Sequence, residues 1–149
     1  FVVSHTNVPT GSMMPTINPG DHLIVNRLPY YYRHPKQGEI IVFEKGRERL
    51  IKRVIGEPGD VIDIVDGKVY VNGVVLNEAG YVESINTTYV FSNSPIIFPY
   101  TVPAGYYFVM GDNRKNSEDS RVFGPVSREL IIAKAGFRIF PFNHIEIIK

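Results

Sequence analysis

The chain has 149 residues, 44% of them hydrophobic and 21% charged, with a formal net charge of +1. That length supports one domain burying about 68–70% of the surface its unfolded chain exposes, and that composition excludes a disordered chain. A near-neutral charge without a dense Lys/Arg run leaves no footprint for nucleic acid, and the absence of cysteine rules out a disulfide framework or a thiolate metal site.

No stretch is long and apolar enough to cross a bilayer. Phe1-Val2-Val3 reads as a first β-strand or as the tail of an anchor lying upstream. Next comes "VPTGSMMPTINPGD", Val8 to Asp21. Gly11 allows an unusual backbone conformation and close approach of another segment. Pro15 biases Met14 towards extended backbone. Ser12 is then presented on a stiff, open segment, or it sits in an ordinary turn.

Short Val/Ile/Phe/Tyr runs follow at 22–28, 39–46, 49–56, 60–76, 105–112 and 134–140, separated by Gly, Pro, Asp and Asn. Within "VDGKVYVNGVV" the dipeptides Asp66-Gly67 and Asn72-Gly73 flank an alternating strand and predict hairpins. The best short helix is "SRELIIAKA", 127–135, with Ser127 as cap and Glu129 in the first turn. The fold class is therefore mostly β with little helix: antiparallel sheets forming a barrel or sandwich. Composition shifts between about Ile64 and Pro103. This middle section, poor in Lys and Arg, reads as an excursion leaving near Asp60 and returning near Gly105.

The four histidines show no metal-ligand spacing, and Asp60, Asp63 and Asp66 read as solvated turn acids. No glycine pattern cradles a phosphate. Nothing therefore calls for a metal or cofactor. A serine nucleophile needs a base. With no well-placed His, a lysine base remains, as in the Ser–Lys variants of the serine triad. Such a lysine must lose its proton, which burial among apolar residues promotes. Lys52, between Leu50, Ile51, Val54 and Ile55, has that setting. In an alternating strand Lys52 and Arg53 point to opposite faces, one to the core and one to water. Lys134 in "IIAKAG" competes, as a base or as a snorkelling surface lysine. The loop Val109–Gly124, "VMGDNRKNSEDSRVFG", gathers Asp112, Asn113, Ser117, Asp119, Ser120 and Arg121. It is either a hydrated connection or a set that orients an amine and pins itself by an Asp–Arg pair.

"SMMPT", "KRVIGEPGD" and "GDNRKNSEDSR", with "PGDHLIVNR" and "HPKQGEIIVF" between them, resemble in order and content the signature boxes of bacterial type I signal peptidases. The resemblance covers most of the chain outside the middle excursion. It implies Ser12 as nucleophile, Lys52 as general base and Ser117 as the hydroxyl positioning the lysine. It implies an oxyanion hole of Thr10 hydroxyl and Ser12 N–H. Asp119 and Arg121 match a supporting ion pair, and Asp112 another acid of that loop. The implied fold is a β-barrel-like catalytic core of coiled sheets, residues 1–63 and 105–149, with an inserted second β region, residues 64–104. The implied reaction is hydrolysis of one peptide bond after the signal sequence of an exported preprotein, following small residues of A-x-A type. The substrate is expected to lie as an extended strand beside "TNVPTG" and "ERLI", with Met13, Ile17, Leu50 and Ile51 walling apolar pockets. Family members sit on the outer face of the cytoplasmic membrane, tethered by N-terminal transmembrane segments. The present sequence is thus expected to be the soluble catalytic portion, with "LPYYY" and "FPFNH" as candidate lipid contacts.

Two rivals differ from this reading. A self-cleaving repressor-type protease shares Ser–Lys chemistry but needs its own cleavage site and a DNA-binding segment, neither visible. A non-enzymatic β-barrel module holding preproteins has no use for both Ser12 and Lys52.

Overall fold

The computed structural model describes residues 3–149. In chain order the strands are β1 (Val3–Asn7), β2 (His22–Asn26), β3 (Ile40–Lys45), β4 (Glu48–Gly56), β5 (Val61–Val65), β6 (Lys68–Val71), β7 (Val74–Val75), β8 (Tyr100–Thr101), β9 (Tyr106–Met110), β10 (Val126–Ser127), β11 (Ile131–Phe140) and β12 (Glu146–Ile147). Two four-residue helices, α1 (Pro29–Tyr32) and α2 (Ser120–Phe123), interrupt them. Every strand pairing is antiparallel among the described residues. The fold is mostly β with little helix. Val3 opens β1, while Phe1 and Val2 lie outside the described residues.

The large sheet runs β1-β2-β11-β3-β4-β9-β10, with β12 paired to β11. Its middle is buried on both faces, which explains the unbroken run "IIVF" in β3. Ile40 and Val42 join a core with Val8, Met13, Ile17, Leu23, Val25, Ala133 and Ala135. Ile41 and Phe43 face a second core with Val54, Tyr107, Val109 and Ile131. Residues 61–75 and 100–101 form a smaller sheet, β7-β6-β5-β8. It is held to the large one by Ile62, Val69 and Val102 packing on Ile55, Phe108 and Met110.

Both expected turns are present. β5 and β6 pair through Val65 and Lys68 across Asp66-Gly67, and β6 and β7 through Val71 and Val74 across Asn72-Gly73. All four turn residues have positive φ, between 50° and 79°. Two positive-φ residues in a row make the type I′ turn that matches strand twist.

The helix expected over 127–135 is not formed. Arg128–Leu130 make one 3₁₀ turn, and Ile131 begins the ten-residue β11. Ile131, Ala133 and Ala135 are buried alternately, a period of two rather than 3.6. Pairing with β2 and β3 on both sides overrides the helix preference of this Ala- and Glu-containing run.

"LPYYY" contains α1, and "FPFNH" carries the turn Phe142–His144. The β2–β11 ladder separates them: Asn26 pairs with Lys134 at one end, and His22 with Phe140 at the other. Arg138 fixes the second end, donating to Asp21, Glu146 and the His144 carbonyl.

Candidate active site

Ser12 sits in a compact turn, one of the two settings its sequence left open. Met14 N–H donates to the Gly11 carbonyl at 3.1 Å and Ile17 N–H to the Met13 carbonyl at 2.9 Å. Gly11 does not adopt positive φ. Its missing side chain matters sterically instead, because a Cβ there would meet Met14 Sδ at 3.0 Å. Met13, almost fully buried, anchors the turn in the first core. Ser12 N–H has no acceptor among the described residues.

Lys52 belongs to β4 and is 3% exposed. Its Nζ donates to Ser12 Oγ at 2.8 Å and to the Ile51 carbonyl at 3.2 Å. Burial pushes the amine below its ordinary range, while the carboxylates of Asp119, Glu118 and Asp112 pull it back up. Desolvation is the larger effect, so the amine releases its proton more readily than an exposed lysine does. Lys134 lies on β11 and does not line the groove holding Ser12. Arg53, expected in water if Lys52 faced the core, is 2% exposed. A bidentate pair with Asp112 at 2.8 and 2.9 Å makes that burial tolerable. The guanidinium also donates to the carbonyls of Gly38 and Lys149 and lies 4.0 Å from the Tyr81 ring centroid. Burial raises the Tyr81 hydroxyl to about 12.

The loop between β9 and α2 brings its polar residues to this place. Asp119 caps α2 and holds Arg121 through bonds of 2.8 and 2.9 Å, both side chains fully buried. It also accepts from Gly111 N–H at 3.1 Å. Asp112 accepts from Thr16 Oγ1 at 2.6 Å, joining the loop to the Ser12 turn. Ser117 differs from expectation. Its hydroxyl is buried with no hydrogen-bond partner among the described residues, and Lys52 is not bonded to it. The hydroxyl lies instead where a Cβ on Gly111 would strike it together with the Ser12 carbonyl. Thr10 Oγ1 stands 3.5 Å from Ser12 Oγ, on the exposed side of the turn.

A groove of about 470 Å³ passes this pair. Thr6 to Thr10 form one bank and Glu48 to Lys52 the other, with Ser12, Met13 and Val42 between. The large sheet curls until its β1 end faces β4. Met13, Leu50 and Ile51 line the groove, but Ile17 does not. Ile17 is fully buried among Val8, Met13 and Leu23, because the Ile17–Met13 turn bond directs it inward.

Sequence reasoning missed the supports contributed by the middle section. Glu78 pairs with Arg114 at 2.6 Å, Thr88 Oγ1 accepts from Arg114, the Tyr89 carbonyl accepts from Arg121, and Ser94 donates to the Arg121 carbonyl. Residues 78–94 thus clamp the β9–α2 loop from outside. The loop's own charges balance, with Arg114, Lys115 and Arg121 against Asp112, Glu118 and Asp119, so nothing in the sequence signalled partners from outside it.

The family model for signal peptidase, peptidase S26, matches residues 1–140. The chain is similar to signal peptidase I of Leptolyngbya laminosa, 37% identical over 155 residues that cover 97% of this chain and 72% of that protein. It is also similar to thylakoidal processing peptidase 1 of Arabidopsis thaliana, 31% identical across 91% of this chain and 41% of that one. Among solved structures, a signal peptidase I of Enterococcus faecalis superposes with a TM-score of 0.57 at 35% identity, covering 68% of this chain and 97% of that one. A buried Lys52 bonded to Ser12 in a groove between strands, on a chain matched over nearly its whole length, leaves one conclusion: this protein belongs to the signal peptidase family, peptidase S26.

Proposed function

We propose that this chain hydrolyses a single peptide bond after the signal sequence of exported preproteins, with Ser12 as nucleophile and Lys52 as its base. The 2.8 Å contact between Lys52 Nζ and Ser12 Oγ, with the amine buried, carries the reading. Neutral Lys52 accepts the Ser12 proton as Oγ attacks the carbonyl carbon. Ser12 N–H and the Thr10 hydroxyl receive the developing oxyanion. Lys52 then returns the proton to the leaving amine. Water, deprotonated by the same amine, releases the acyl group. Asp119–Arg121 and Asp112–Arg53 hold the surrounding loop.

The groove suits an extended peptide. Among the described residues, 48–52 of β4 pair only with β3, since β9 joins at Arg53, and β1 pairs only with β2. Two unpaired backbone edges therefore face one another, and a peptide strand between them satisfies both. Met13, Leu50 and Ile51 give that strand shallow apolar walls suited to small side chains. We assign residues 1–63 and 105–149 to the catalytic core and 64–104 to an inserted region supporting the loop.

For the lipid contact we choose the Phe140 end of the β2–β11 ladder. Val8–Ser12 continues from Asn7, which pairs with His22 opposite Phe140, so the site and this end are neighbours. Phe140, Phe142, Ile145 and Ile147 are exposed there. Tyr31 and Tyr32 are also exposed but sit at the far end. The assigned location is the outer face of the cytoplasmic membrane. The test is incubation with a peptide carrying an A-x-A site, reading the cut position by mass spectrometry. Cleavage directly after the second Ala by the unmodified chain, absent in Lys52→Met, is expected. Equal cleavage by both chains overturns the dyad.

A further inference from the structure

Asn113 lies two residues from the Asp119–Arg121 network's first anchor at Gly111, and it makes contact with the Ser12 turn twice. Its backbone N–H donates to the Ser12 carbonyl at 3.0 Å, and its side-chain Nδ2 donates to the Gly11 carbonyl at 3.0 Å. The amide orientation is set by the acceptor, because a carbonyl can only accept. The loop comes this close because Gly111 has no Cβ. One there would strike the Ser12 carbonyl and Ser117 Oγ.

The Gly11 carbonyl belongs to the same peptide unit as Ser12 N–H. That unit is trans and planar, so its C=O and N–H point in opposite directions. A hydrogen bond that fixes the oxygen also fixes the aim of the hydrogen. Met14 N–H and Asn113 Nδ2 together occupy the Gly11 oxygen. The turn alone supplies the first bond, while the second ties the peptide plane to the rigid β9–α2 loop. Ser12 N–H meanwhile has no acceptor among the described residues, and it stands on the residue that contacts Lys52. An amide whose oxygen accepts bonds is also a stronger donor at its nitrogen, through polarisation along the chain.

We propose that Asn113 is a positioning residue for the oxyanion hole: its side-chain amide holds the Gly11–Ser12 peptide plane so that Ser12 N–H faces the groove. This rests on the reading of Ser12 as nucleophile and extends it. Asn113 touches neither substrate nor Lys52. Its effect is confined to the aim of one N–H donor, so it acts in the transition state and leaves peptide binding and the base unaltered.

The test compares Asn113→Asp and Asn113→Ala with the unmodified chain. Asp keeps the shape and removes the donor; Ala removes both. The backbone bond to the Ser12 carbonyl survives in each, so the loop stays docked. For both variants kcat is expected to fall roughly ten- to hundred-fold, less than or equal to the loss of a whole oxyanion donor. KM should stay within about two-fold in both; the acid limb of the pH profile should not move in Asn113→Ala, whereas the new carboxylate of Asn113→Asp near Lys52 should move it to higher pH. Affinity for a peptide aldehyde, whose hemiacetal oxygen occupies the hole, is expected to fall in proportion to kcat/KM. Affinity for an uncleavable peptide should not change. An unaltered kcat in the Ala variant overturns the proposal, as does, in that same variant, a loss carried by KM or by a shifted pH profile. Should Asn113→Asp fail to fold, the Ala variant decides alone. Ser12→Ala separates the two readings. Activity surviving in Ser12→Ala removes the nucleophile itself, whereas an inert Ser12→Ala beside a fully active Asn113→Ala removes only the positioning role.

Discussion

Lys52 Nζ and Ser12 Oγ are 2.8 Å apart although 40 residues separate them in the chain. The serine is on a turn following β1, and the lysine is on β4, four pairings further along the sheet. Curling of that sheet closes the distance. Replacing either end isolates its role. Ser12→Ala and Lys52→Met are each expected to lower preprotein cleavage on the order of 10³-fold or more, as for paired catalytic groups that act as a unit. Circular dichroism should show both folded. Residual cleavage within ten-fold of the unmodified chain in either variant removes that residue from the dyad.

The pH profile follows from the lysine. Its base form is needed, and burial places its pKa below the ordinary value near 10.5, against the pull of Asp119, Glu118 and Asp112. kcat/KM is therefore expected to rise with pH through that lowered pKa. Glu118 is exposed and removable. Glu118→Gln takes away one carboxylate that holds the proton, so the acid limb should move to lower pH. A move to higher pH contradicts the assignment of that limb to Lys52.

Stability carries the same signature with a definite sign. The unfolded chain keeps the Lys52 proton up to about pH 10.4, whereas the folded chain releases it earlier. Between these two pKa values the unfolded state binds more protons, so folding stability rises with pH. Below the folded pKa the penalty is complete, and above the unfolded pKa it has vanished. Lys52→Met is expected to be more stable than the unmodified chain at neutral pH, with the gap narrowing towards pH 10–11. Urea titrations at several pH values measure this, and a gap that widens with pH refutes it.

Thr10 is tested by turnover. Its hydroxyl is 3.5 Å from Ser12 Oγ on the groove side. Thr10→Ala should lower kcat by about 10²-fold or more, with KM little changed, if the hydroxyl receives the oxyanion. Thr10→Ser should recover most of the activity. An unchanged kcat in Thr10→Ala takes Thr10 out of the hole.

Arg121 is tested by stability. It is fully buried, pairs with Asp119, donates to the Tyr89 and Arg114 carbonyls, and lies over the Phe91 ring. Arg121→Ala leaves a buried carboxylate unpaired and should destabilise the fold by about 3–5 kcal/mol. Thermal unfolding reports it; a loss under about 1 kcal/mol means the pair is dispensable.

The two aromatic segments make opposite predictions for lipid. Phe140→Ser with Phe142→Ser is expected to weaken binding to phosphatidylglycerol vesicles roughly ten-fold, from the apolar area lost. Tyr31→Ser with Tyr32→Ser should leave binding unchanged. Vesicle sedimentation distinguishes them, and the reverse order assigns the lipid face to the α1 end.

Strands were legible wherever one residue type dominated the pattern. "EIIVFEKG" and "RLIKRVIG" announced β3 and β4, and Asp66-Gly67 and Asn72-Gly73 announced their turns, because φ > 0 selects those residues locally. The 127–135 segment reads as a helix because two of its alternating core positions, Ala133 and Ala135, are small residues that also suit a helix, and Ser127 and Glu129 look like a helix start. Only strands on both sides decide it. Lysine in an apolar run, serine after glycine and a polar loop after β9 likewise stood in the sequence as separate features. Their meeting did not. It depends on a curled sheet bringing β1 to β4, on Arg53 finding Asp112 rather than water, and on Glu78, Thr88 and Tyr89 of the middle section covering the loop. Residue chemistry and periodicity are local properties, so the sequence by itself determined which side chains were available. Which of them touch, which amine is desolvated and which carbonyl Asn113 holds are set by long-range packing, and only the tertiary structure decided those.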